Sequence, residues 1–178
     1  MTHELLFAGF GGQGVMFTGR LAAYTGLVQD KNVSWMPSYG PEMRGGTSNC
    51  HIIISDDDVC SPIVVNPTQL VVMTIPAFIK FEKTVAPGGL MIVDTSLVDR
   101  RSERTDITQY LIPATQMADD MGLLGLSNMI MFGYLLKITG LADLKIAKIA
   151  IEKSVSSTKS DLVESNFKAV EAGYNYSA

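Results

Sequence analysis

Apolar residues in the first two thirds of the chain fall in short runs broken by glycine, proline and charge. Such runs predict buried strands, and longer stretches between them predict helices. Leu5, Leu6, Phe7 and Ala8 read as a strand, and Val15–Val28 as the helix after it. A second strand is expected over 32–36, followed by a loop over 37–46 rich in proline and glycine. Thr47–Ser55 and the run 59–65 read as a hairpin around the turn Asp56, Asp57 and Asp58, whose carboxylates are expected to be solvated rather than metal-bound. A further strand over 70–74, a helix over 77–85 and the unbroken apolar strand Leu90–Asp94 follow. The charged stretch 99–106 reads as an exposed loop, and Tyr110, Leu111 and Ile112 as a last strand ended by Pro113.

From Thr115 onward the pattern is helical. The stretch 128–139 is apolar nearly all round, which predicts burial on more than one side. Helices over 142–155 and 159–173 each carry one apolar stripe: Leu144, Ala147 and Ile151 in the first, Leu162, Val163, Phe167 and Val170 in the second. Met129, Met131, Phe132 and Tyr134 are expected in the core, where methionine fills gaps. Together these elements predict a single domain over 1–178: a three-layer α/β/α fold with a mostly parallel, mixed sheet, a Rossmann-like start and a helical C-terminal part.

Composition narrows the function. A net charge of −4, with no basic run longer than Arg100-Arg101, argues against nucleic-acid binding. At 47% hydrophobic the chain has an apolar excess, which points to a protein–protein face and to self-association of the isolated chain. No uncharged stretch supplies the roughly 20 apolar residues of a membrane helix, and no secretory pattern is seen at the start, so a cytoplasmic location is expected. Hairpin register sets Cys60 opposite Ile54 rather than Cys50, which argues against a disulfide, and two thiols fall short of the four that hold an iron–sulfur cluster.

The candidate chemistry sits in glycine-rich loops. Gly9, Gly11, Gly12, Gln13 and Gly14 lie between the first strand and helix in the spacing G-x-G-x-x-G. Glycines there let backbone N–H groups converge on an anion at a helix start, although a tight turn and close packing alone also account for them. Gly14, Thr18, Ala22 and Gly26 recur as a ridge of small residues that predicts close packing of this helix on the sheet. A dinucleotide enzyme would carry an acid at the end of the second strand, where this chain has Trp35-Met36-Pro37-Ser38. His3 and His51 stand beside no nucleophile motif, so no catalytic base emerges. Arg44, flanked by glycines after the second strand, is the candidate anion partner, with a salt bridge to Glu42 or to a neighbouring subunit as the competing role.

Three motifs in order, Gly9-Phe10-Gly11-Gly12-Gln13-Gly14, Pro37-Ser38-Tyr39-Gly40-Pro41-Glu42-Met43-Arg44-Gly45-Gly46 and Asn128-Met129-Ile130-Met131-Phe132-Gly133, resemble the gamma subunit of 2-oxoacid:ferredoxin (or acceptor) oxidoreductases, most of all the 2-oxoglutarate type. The resemblance implies a non-autonomous enzyme subunit with no cofactor of its own. Partner subunits would bind thiamine diphosphate and iron–sulfur clusters and pass electrons to ferredoxin, with acyl transfer to coenzyme A. Gly9, Gly11, Gly12, Gln13, Gly14, Ser38, Arg44 and Gly45 would then be the residues nearest a coenzyme A phosphate. A stand-alone nucleotide- or phosphate-binding module with a sensing role is the alternative.

Overall fold

The computed structural model describes residues 1–38, 47–155 and 160–177. β1 (Thr2–Phe10), β2 (Asn32–Ser38), β3 (Thr47–Ser55), β4 (Gln69–Val72), β5 (Leu90–Asp94) and β6 (Thr108–Ile112) form one sheet in the order β2-β3-β1-β4-β5-β6. β3 runs antiparallel to both β1 and β2, whereas β1, β4, β5 and β6 are parallel. β1 and β2 therefore point the same way, and both end at the edge where β4, β5 and β6 end.

The helices are α1 (Val15–Val28), α2 (Ile75–Phe81), α3 (Ala114–Asp120), α4 (Ser127–Thr139), α5 (Leu144–Ser154) and α6 (Ser160–Asn175). One core joins Leu5, Phe7, Ile52, Ile54, Val71 and Ile92 of the sheet to α1, α4, α5 and α6. A smaller core on the other face joins Leu6, Ala8, Leu70, Val72, Met91 and Val93 to Ala77 and Phe78 of α2 and to Val98 and Ile107. β4 and β5 are thus covered on both faces, which is why their sequences are continuously apolar. Met129, Met131, Phe132 and Tyr134 are all buried in the larger core.

The hairpin expectation is corrected: residues 59–65 form no strand. Both edges of β3 are taken, one by β1 and one by β2, so no backbone edge is left to receive a returning partner. The segment is tied down by a side chain instead, the Val64 N–H donating to His51 Nδ1 at 3.2 Å. Asp56 sits beside the start of β1, pairing with Lys31 at 2.7 Å and with the N-terminal ammonium, and these contacts pull its carboxyl down to about 2. Cys50 is buried and Cys60 exposed, and both are free thiols.

The second helix starts two residues earlier than expected. Thr74 caps it, its Oγ1 accepting from the Ala77 N–H at 3.4 Å with Pro76 in the first turn, and residues 82–84 continue as a 3-10 turn. The small-residue ridge of α1 divides its task. Gly26 packs on Val33 and Ile54 of the sheet, but Gly14 faces Asn128 of α4 and Thr18 takes a hydrogen bond from it. The helix meets Cys50 of β3 through Gly19, seven residues before Gly26 and so on the same side.

Candidate functional site

The glycine turn lies at the carboxyl edge of the sheet, between the last residue of β1 and the first turn of α1. Gln13 braces it from inside. Its N–H donates to the Phe10 carbonyl at 3.2 Å, its Oε1 accepts from the Phe10 N–H at 2.7 Å, and its Nε2 donates to the Met73 carbonyl at 3.4 Å. A Cβ on Gly9 would meet Gln13 Oε1 at 2.7 Å, so this glycine is what lets the brace close. Gly12 has φ +104° with open space where a side chain would stand, and Gly14 caps α1 in the left-handed region at φ +74°. No side chain caps the helix start. The first N–H groups of α1 are orphan donors at the positive end of the macrodipole, which suits an anion.

Ser38 ends β2 at the same edge, exposed and paired with Asn49 of β3, while Phe10 pairs with Thr47. Arg44 and Gly45 lie outside the described residues. The two glycine-rich loops therefore follow strands that end on one edge but are not neighbours. β3 stands between them, at about 10 Å for two strand spacings.

Other groups at this edge escaped the sequence reading. Asp94, fully buried at the end of β5, accepts from the Ser96 N–H at 3.1 Å, the Thr115 N–H at 3.2 Å and the Thr115 hydroxyl at 2.6 Å, which ties α3 to the sheet. The signal was there, an acid closing an apolar strand. Asn128, in the first turn of α4, donates from Nδ2 to Thr18 Oγ1 at 2.7 Å and to the Gly14 carbonyl at 3.3 Å. Its place in a sequence motif was visible, but not its partner 110 residues away.

Burial perturbs the protonation of the histidines and of the buried thiol. Burial lowers the pKa of His3, against a hydrogen bond from Gln69, and burial likewise lowers that of His51. Burial pushes the Cys50 thiol up to about 12, which keeps it protonated. Among the described residues no group of three His, Cys, Asp or Glu side chains is placed to hold a metal, and no helix is long and apolar enough to cross a membrane.

The pyruvate ferredoxin/flavodoxin oxidoreductase family model matches residues 4–176. The chain is 33% identical to 2-oxoglutarate synthase subunit KorC of Methanocaldococcus jannaschii, over 98% of this chain and 93% of the relative. It is 37% identical to ketoisovalerate oxidoreductase subunit VorA of Methanothermobacter marburgensis, where 95% of this chain spans only 35% of the relative. Among solved structures, the gamma subunit of keto/oxoacid ferredoxin oxidoreductase from Geobacter sulfurreducens superposes with a TM-score of 0.82 at 28% identity, over 97% of this chain and 96% of that one. With the family match running through all the elements from β1 to α6, the chain belongs to the pyruvate ferredoxin/flavodoxin oxidoreductase family, as a gamma subunit of a 2-oxoacid:ferredoxin oxidoreductase.

Proposed function

We propose that this gamma subunit serves a complex of the 2-oxoglutarate type, working in the cytoplasm with thiamine diphosphate- and cluster-bearing partner subunits that pass electrons to ferredoxin. The observation that carries the substrate is the likeness to KorC along nearly the full length of both chains. The same fold spans a third of VorA, so in that relative it is covalently joined to further polypeptide. This agrees with a working unit that is one part of a larger enzyme. We read residues 1–178 as one domain, since both cores share one sheet. The free-standing sensing module has no support among these relatives.

Within the complex, the glycine turn and the start of α1 take a phosphate of coenzyme A. Gly9, Gly11, Gly12 and Gly14 shape the backbone cradle, and Gln13 holds it closed. Arg44, with Ser38 and Gly45, contributes from the second loop on the same edge. The support is local: the helix start is uncapped, and the space above Gly12 is open. Thiamine diphosphate and clusters are assigned to partner chains; for the clusters the reason is that one of this chain's two thiols is buried and protonated, and a cluster takes four.

Purification of the complex from its native source tests the reading. The chain is expected to emerge with thiamine- and cluster-bearing subunits and with 2-oxoglutarate-dependent, coenzyme A-dependent reduction of ferredoxin. Recovery as a lone chain that binds a nucleotide would overturn it.

A further inference from the structure

Asn128 is only 3% exposed, and packing alone does not explain its carboxamide. Three donors converge on one acceptor, the Gly14 carbonyl oxygen. They are the Thr18 N–H at 2.9 Å, the Thr18 hydroxyl at 3.1 Å and Asn128 Nδ2 at 3.3 Å. Nδ2 also donates to the Thr18 hydroxyl, so the three groups form a closed triangle with the carbonyl. A carbonyl oxygen offers two lone pairs, and the convergence exceeds what satisfying it requires. Oδ1 of the same amide is buried without a partner, against Gly14, where a Cβ would lie 2.5 Å from Nδ2 and 3.5 Å from Oδ1. An unpaired buried acceptor is a standing cost that a leucine of the same size would avoid.

What the triangle fixes is a direction. The peptide between Gly14 and Val15 is planar and trans, so its C=O and N–H point opposite ways. Holding the Gly14 oxygen inward, along the helix and toward α4, aims the Val15 N–H outward from the start of α1. That group is the first of the orphan donors. We propose that Asn128 is a positioning residue for the phosphate cradle, holding from α4 the peptide whose N–H begins it. This rests on the phosphate reading of the glycine turn.

The test uses the assembled oxidoreductase. Asn128→Leu keeps the side chain's size and removes its donors. The KM for coenzyme A is expected to rise about 5- to 10-fold, as when one charge-assisted hydrogen bond is misaimed. The kcat at saturating coenzyme A, and cluster reduction by 2-oxoacid without it, are expected to stay within about twofold, since neither step meets the misaimed N–H. A packing role alone would lower the melting temperature and leave the KM where it was, and that result overturns the proposal. If Asn128→Leu does not assemble, Thr18→Val decides in the same way, because it removes a hydroxyl from the triangle and keeps the shape. Gly12→Val separates the positioning role of Asn128 from the cradle itself. A raised KM there with an unmoved one in Asn128→Leu removes only the positioning role, whereas no change in either removes the phosphate cradle as well.

Discussion

At the scale of single residues, the cradle depends on what is missing from Gly12. Its φ of +104° is one that side-chain-bearing residues rarely adopt, and the position opens to solvent. Gly12→Val would both strain the turn and fill the space a phosphate needs. Arg44→Ala would remove the charged donor proposed for the same anion. Losing such a bond costs about 1.5–3 kcal/mol, so the KM for coenzyme A should rise about 10- to 150-fold while the complex still assembles. An Arg44→Ala complex that assembles with a normal KM returns Arg44 to the interface role. The two cysteines give a separate check. With Cys50 buried and its thiol pushed up to about 12, iodoacetamide near neutral pH should add one adduct, at Cys60. Intact mass spectrometry counts the adducts, and two on the folded chain would contradict the burial. The glycine turn was legible in the sequence because its spacing between an apolar strand and a helix is a local signal. The Asn128 triangle was not, because its partners meet only when α4 lies across α1.

At the scale of elements, legibility followed how local each cause is. α1 starts and ends where the sequence placed it, since Gly14 and the run after it define the helix without outside help. The supposed strand over 59–65 failed because pairing is not local: β3 had no free edge to offer. Between α4 and α6 the sequence hid a contact that now makes a prediction. A Cβ on Gly133 would run into the Val170 carbonyl oxygen, and one on Gly173 into that of Ile130, nearer than any real side-chain contact. Backbone lies on both sides of this crossing and cannot swing away. Gly133→Ala or Gly173→Ala should therefore destabilise by about 1–3 kcal/mol or more, despite the better helix propensity of alanine. Urea unfolding checks this. A variant as stable as the parent would mean that the helices part easily, against the burial of every residue from Asn128 to Leu136.

At the scale of the whole molecule the two faces of the sheet are unequal. α1, α4, α5 and α6 cover one face deeply. The other has α2 and irregular segments, and there Ile63, Val65 and Ile79 are 55%, 72% and 60% exposed. Single exposed apolar residues are ordinary on any protein surface. Here they sit on the thinly covered side of a chain that is 47% hydrophobic and belongs to a multi-subunit enzyme. In the complex such groups gain by meeting a partner; in isolation they can meet only a second copy. The isolated chain should therefore self-associate, and coexpression with its partner subunits should convert it to a hetero-oligomer of fixed mass. Replacing Val65 and Ile79 together by lysine adds charge to this face without touching either core, and should shift the isolated chain toward monomer. Light scattering of the parent, the double variant and the coexpressed complex measures all three masses. A parent chain that stays strictly monomeric both alone and with its partners would show that this face meets nothing.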